Sequence, residues 1–330
     1  MRQLYDVTLR DGNHALRHQL SLEFLVKYCQ VARESDAWAV EVGHGNGLGA
    51  SSFLIGKSRL TDEEMLKAAK SHLGMKRLAV HSIPGIATIE RDLKPALDLG
   101  VDVFRVATHA TEASLAERHL TFLSDKGVVV HGVLMMSHMN SVEGLVEQAR
   151  RMREFGASAV VLMDSAGHFK PRDVELRVQA LYQELAIEVG FHAHNNFGLA
   201  IANATTAEAA GATVLDGAAM GLGAGSGNAQ LEALATVLNT DDATEKTLDV
   251  FYKLSDLTAV ECAESLPRVT SSSLRSGTAG AFSGFAPQVR QLSDELGVSI
   301  DSLWLEIGRR RVVAGQESIL REIALDLMNL

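Results

Sequence analysis

Eight short apolar runs, each followed by a stretch of helical periodicity, constrain what this chain can fold into. The runs are Leu4–Leu9, Ala39–Gly43, Arg77–Ile83, Val103–Ala107, Val128–Met135, Ala159–Met163, Ile187–Phe191 and Thr213–Ala218. Between them lie amphipathic stretches such as Leu22–Glu34, Asp62–Leu73, Ile89–Leu99, Val142–Phe155, Pro171–Leu185 and Ala200–Ala210. Gly74, Gly100, Gly127, Gly156 and Gly211 stand where helices should stop in a left-handed turn. Strand–helix alternation with Val/Ala/Leu-rich strands implies parallel pairing. Eight such units in succession predict an α/β fold, a (β/α)8 TIM barrel. A doubly wound open sheet is the rival, but it rarely needs eight consecutive right-handed units.

After Leu238 the pattern changes. Leu248–Cys262, Gly284–Leu296, Ile300–Arg310 and Gln316–Leu330 read as helices with no strand run between them. Residues 1–240 are therefore assigned to the barrel and 241–330 to a helical C-terminal extension. Ser271–Phe285, "SSSLRSGTAGAFSGF", reads as a small-residue loop serving as a lid or an interface.

Composition narrows the partners. A formal net charge of −10 leaves no basic surplus to neutralise nucleic-acid phosphates or an anionic membrane. No run of about 18 apolar residues and no basic-plus-apolar leader is present, so neither a membrane span nor a signal peptide is expected. Two cysteines without a Cys-x-x-Cys pattern fit a reducing cytoplasm.

Barrel enzymes carry their sites at the C-terminal ends of the strands, and that is where the chemically able residues gather. The first run ends in Arg10-Asp11 with His14 close behind; the second ends in "EVGHGNG", with Glu41 and His44. His109, His138 and His168 follow the fourth, fifth and sixth. Polar barrel tops are common, so none of these histidines is a site by itself. "FHAHNN" is different: His192 and His194, two apart on a strand, share one face and can converge on one ion, with Ala193 facing outward. With Asp11 they make a two-histidine, one-carboxylate set that keeps open positions. Mixed N/O ligation suits Mn²⁺, Mg²⁺ or Co²⁺ better than a structural zinc. Arg10 beside that acid could stabilise an enolate formed from a bound 2-oxo acid; a structural salt bridge is the plainer role for it. His14 could move a proton near neutral pH. "GLGAGSGNAQLE", residues 221–232, lets backbone come close to an anion or a metal but does not fit a dinucleotide fingerprint.

Together with "VATHATEA", "MMSHM", "DSAGH" and "EIGRRRVVAGQE", these motifs resemble the 4-hydroxy-2-oxovalerate aldolases, pyruvate-specific class II aldolases, from Leu4 to about Gln316. The wider group includes 3-hydroxy-3-methylglutaryl-CoA lyase and the isopropylmalate and homocitrate synthases. The resemblance implies that Asp11, His192 and His194 hold a divalent metal, usually Mn²⁺. It implies that Arg10 stabilises the pyruvate enolate, that Ser165 binds the substrate carboxylate, and that His14 is the base for the 4-hydroxyl. It also implies a role in aromatic-compound catabolism, an oligomer, and an acylating aldehyde dehydrogenase bound through the C-terminal region.

Departures from the family pattern cluster at the aldehyde end. Phe282 stands where the family has a tyrosine, and His81-Ser82 replace aliphatic residues that wall the aldehyde pocket. Asn46 and Ala110 stand in place of Asp and Cys. An altered aldehyde, larger or more polar than acetaldehyde, is the expectation, and a biosynthetic direction stays open. An acyl-CoA-dependent lyase or synthase is the alternative, although no basic cluster for the CoA phosphates is seen. A non-catalytic scaffold for the dehydrogenase is the third reading; the complete metal set weighs against it.

Overall fold

The computed structural model describes residues 2–238 and 245–328. Eight parallel strands form a closed barrel in sequence order: β1 (Gln3–Asp6), β2 (Ala39–Glu41), β3 (Arg77–Ser82), β4 (Val103–His109), β5 (Val129–Met135), β6 (Ala159–Asp164), β7 (Glu188–Ala193) and β8 (Val214–Gly217). Closure is set by β1 against β8, with Tyr5 opposite Asp216. The TIM barrel read from the periodicity is thus present, and local chemistry explains several of its helices. Thr61 and Glu64 form a reciprocal capping box on Asp62–His72, while Ser21 and Ser141 cap Leu22–Ala32 and Val142–Glu154.

Strand alternation divides the apolar side chains into two layers. Tyr5, Val7, Ala79, Val103, Val161 and Val214 fill the barrel interior. Leu78, Val80, Phe104, Phe191 and Ala193 face outward and pack with the surrounding helices. Ala193 therefore points away from the axis, as its place between two histidines predicts. The interior is not purely apolar, however: Glu41, Arg105, His131 and Asp216 are buried in it.

The 240/241 boundary lies outside the described residues. Helix Glu245–Glu261 adds Phe251 and Leu254 to the barrel's outer layer. From Ala281 onward a separate cluster forms around Phe285, Leu303, Trp304, Ile307 and Ile323. The Ser271–Phe285 segment corrects the loop expected there. Ser271–Ala279 is a helix, capped by Thr270 and Ser273 and ended by Gly280 at φ +64°. Its weak intrinsic propensity is overridden by the cap and by barrel side chains that bind its carbonyls. No helix among the described residues is long and apolar enough to cross a membrane. Cys29 and Cys262 are buried free thiols.

Candidate active site

The end of β1 is locked before it presents its functional residues. Thr8 Oγ1 donates to Asp6 Oδ1 at 2.6 Å, and Tyr28 Oη donates to Asp6 Oδ2 at 2.8 Å, tying the strand to helix Leu22–Ala32. The chain then folds back on itself, with Val7 O accepting from the amides of Arg10 and Asp11 at 3.2 and 2.8 Å. This tight turn throws both side chains over the barrel mouth. It needs Gly12, because a Cβ there would meet Leu222 Cδ2 at 2.9 Å.

Asp11, His192 and His194 converge there, and all three are buried. Each offers one ligand atom, and these atoms lie within 4.8 Å of one another. The two imidazole Nε2 atoms are 3.3 Å apart, and His192 Nε2 is 3.8 Å from Asp11 Oδ2. His192 Nδ1 donates to Asp216 Oδ2 at 2.7 Å, which leaves the Nε2 lone pair facing the others. This buried donor set fits a divalent cation. Asp11 is further held by Asn228 Nδ2 at 3.0 Å and by the Arg10 guanidinium. The glycine-rich loop after β8 lies directly on this carboxylate: a Cβ at Gly223 would come within 2.8 Å of Asp11 Oδ1.

Electrostatics keep the acid ionised. Burial would raise the Asp11 carboxyl, but the Arg10 guanidinium beside it pulls the other way, and the balance holds it well below the usual carboxylate range. Burial likewise pushes His194 down to about 3, against the pull of Asp11. A neutral imidazole is the form that ligates a metal.

Below the mouth runs a chain of alternating charge. Arg10 Nε donates to Glu41 Oε1 at 2.6 Å; Glu41 Oε2 accepts from Arg105 Nη1 at 2.6 Å; and Arg105 Nη2 donates to Asp216 Oδ2 at 2.8 Å. The Arg105 guanidinium also lies 4.9 Å over the Tyr5 ring. Asp216 ends the chain on His192, and despite its burial these partners bring its carboxyl down to about 2. Arg10 Nη2 is buried without a hydrogen-bonding partner.

A cavity of about 170 Å³ opens beside these groups. Arg10, Asp11, His14, His81, Ser165, His194 and Phe282 all line it. His14 is packed so closely that a Cβ at Gly45 would lie 2.6 Å from its ring. Burial lowers the His14 imidazole more than Asp11 raises it. Ser165 Oγ accepts from Met136 N at 2.9 Å, so its own proton is free to donate into the cavity. Ser82 is the predicted pocket residue that does not line the cavity. It follows His81 on β3 and so falls on the outward side of the strand, where it is buried.

Of the strand-end histidines, His109 lines the cavity, whereas His44 stacks on His18 with ring centroids 3.7 Å apart. His138 and His168 bind the carbonyls of Gly280 and Gly277 at 3.0 and 2.7 Å, gripping the C-terminal region. Asn196, two residues beyond His194, donates to Ser276 Oγ at 2.8 Å and accepts from Ser283 Oγ at 3.0 Å. Asn196, Asn228, Arg105 and Asp216 were not legible as site residues. For Arg105 and Asp216 a signal existed: a charge in "VFRVATH" and "VLDGAA" at an inward-facing strand position.

The chain resembles known proteins over nearly its whole length. Residues 2–262 match the HMGL-like family and residues 267–329 the DmpG-like communication domain. A 4-hydroxy-2-oxovalerate aldolase of Spirochaeta aurantia is 49% identical over 323 residues, covering 98% of this chain and 95% of the relative. Its counterpart in Pectobacterium atrosepticum is 47% identical over 329 residues, covering 98% and 95%. Among solved structures, the carboxyl transferase domain of Rhizobium etli pyruvate carboxylase with pyruvate and biocytin has the same fold. It gives a TM-score of 0.80 at 14% identity, over 99% of this chain and 60% of that one.

Proposed function

This chain belongs to the HMGL-like family and, over nearly its whole length, to the 4-hydroxy-2-oxovalerate aldolases; on that premise we propose which residues perform carbon–carbon cleavage and what they act on. The substrate is a 4-hydroxy-2-oxo acid, split reversibly into pyruvate and an aldehyde. The single observation that carries the reading is the free Arg10 Nη2 at a cavity whose wall also holds the convergent Asp11 and His194.

Asp11, His192 and His194 would hold a divalent ion, Mn²⁺ on family grounds, with Mg²⁺ or Co²⁺ able to replace it. When bound, the ion supplies Lewis-acid polarisation of the 2-oxo acid's oxygens. Arg10 Nη2 donates to the oxygen on which charge develops as the carbon–carbon bond breaks. Its Nε is already fixed by Glu41, so the guanidinium is oriented before substrate arrives. Ser165 Oγ donates to the substrate carboxylate. His14, neutral near pH 7 because burial lowers it, takes the 4-hydroxyl proton during cleavage and returns it in condensation.

The communication-domain match supports an acylating aldehyde dehydrogenase as the partner, bound through the C-terminal region and taking the aldehyde onward. A catalytic barrel with a C-terminal partner-contact region, a homo- or hetero-oligomeric assembly and a cytoplasmic setting belong to the same reading. The test is direct: purified protein with Mn²⁺, pyruvate and a panel of aldehydes should form 4-hydroxy-2-oxo acids, and Asp11→Ala should abolish this. Absence of product with every aldehyde would sink the proposal.

A further inference from the structure

His81 occupies an unusual position in the cavity. It is 3% exposed, yet its Nδ1 is buried without a hydrogen-bonding partner. That nitrogen lies 3.7 Å from Glu41 Oε1, beyond hydrogen-bonding reach. Both oxygens of Glu41 are already engaged, one by Arg10 and the other by Arg105. No described residue bonds the other ring nitrogen either. The same cavity wall carries the apolar Ile83, Pro84, Met135 and Met163 together with the polar Arg10, Asn46, Thr108 and His109.

Resting on the aldolase reading, we infer that His81 selects a short aldehyde bearing a hydroxyl on the carbon next to the carbonyl, so that the condensation product is a 4,5-dihydroxy-2-oxo acid. Burial, reinforced by the neighbouring Arg10 charge, drives the His81 imidazole down to about 3, so it is neutral at working pH. A neutral imidazole has one nitrogen that donates and one that accepts, and a hydroxyl, which does both, can bond whichever of them it meets. An aldehyde with an apolar tail would close over this ring and leave it unpaired in a water-poor site, whereas the hydroxyl satisfies it. Size sets the length: about 170 Å³ is close to an engineered cavity that holds benzene, and the pyruvate portion must share it. Two or three aldehyde carbons remain. The chemistry is otherwise unaltered. Pyruvate C3 gives up one proton and forms the new bond to the aldehyde carbon, the aldehyde's carbonyl pair moves to its oxygen and takes up a proton there, and the neighbouring hydroxyl is bound without reacting.

Glycolaldehyde and propanal are near-isosteric, the hydroxyl of one replacing the methyl of the other, and they make the test. With pyruvate and Mn²⁺, the wild-type protein should show kcat/KM for glycolaldehyde at least about tenfold above that for propanal, the worth of one buried hydrogen bond. His81→Leu should erase this ratio, and His81→Asn, which keeps a donor and an acceptor, should retain most of it. A ratio of two substrates on one preparation does not depend on how much of the variant folds. Preference of the wild type for propanal, or a His81→Leu variant that slows both aldehydes by the same factor, would overturn the inference while leaving the aldolase reading intact. No condensation with these or with acetaldehyde would overturn both.

Discussion

Asp216 accepts the Nδ1–H of His192 at 2.7 Å, and this bond, at the floor of the barrel mouth, decides which nitrogen of His192 faces the candidate metal centre. Asp216 is itself held by Arg105 at 2.8 Å, so the imidazole is oriented from beneath. Asp216→Asn keeps the shape but weakens the acceptor and leaves Arg105 short of a counter-charge. Removing such an outer partner lowers metal affinity by roughly 10–100-fold. Calorimetric titration of the metal-stripped protein with Mn²⁺ measures it; an unchanged affinity would separate Asp216 from the metal site.

Arg10 must use its fork twice, with Nε on Glu41 and Nη2 toward the cavity. A lysine offers one point charge and cannot hold both positions. Arg10→Lys should therefore lower kcat by about 10²–10³-fold, the usual effect of removing one transition-state donor. KM for pyruvate should change much less. Steady-state kinetics decides, since a purely structural arginine would show up in thermal stability and not chiefly in kcat.

Stability should fall as the metal-free protein is taken from pH 6.5 to pH 4. Burial holds His44 and His138 down to about 4, and His131 and His81 down to about 3. Each is neutral in the fold but protonated in the unfolded chain below about pH 6.5, so the unfolded state binds more protons. Their contribution is fully present above 6.5 and is lost as pH drops toward the folded values, at up to about 1.4 kcal/mol per pH unit for each fully titrating group. Asp6 and Asp164 have the opposite sign. Burial raises both to about 6, so their contribution is lost as pH rises through 6 and partly offsets the histidines below it. His194 and His18, which burial pushes to about 3 and about 2, act in the same direction as these four, so the histidines outweigh the two acids and leave a net acid lability. Melting temperatures at pH 7 and pH 5 read it directly; equal values would contradict the balance.

Asn196 joins the barrel to the helix Ser271–Ala279 and to Ser283, beside the cavity-lining Phe282. Asn196→Ala leaves Ser276 and Ser283 without this buried partner, a loss of about 1–3 kcal/mol. Hydrogen exchange should accelerate across residues 271–285 while the amides of β4 to β6 keep their protection. Uniform acceleration would mean that Asn196 supports the whole molecule and not this junction.

Much of this was legible in the amino-acid order alone. Short apolar runs alternating with period-3.6 stretches point to a parallel barrel, because no other arrangement buries eight such strands so simply. The spacing of His192 and His194 places both on one strand face, and Arg10-Asp11 falls at a strand end; these are local properties of the chain. What only the tertiary structure decided is which distant groups meet. Arg105 and Asp216 are 111 positions apart and form an ion pair only because barrel closure aligns β4 and β8 across the interior. The helix at Ser271–Ala279 was read as a loop because its residues are poor helix formers, and its stability comes from Thr270, Asn196 and His168. His81 and Ser82 looked alike as polar neighbours, yet the strand pleat turns one into the cavity and the other behind it. Periodicity is written locally and survives in one dimension, whereas the pairing of buried charges depends on loop closures that no local stretch encodes.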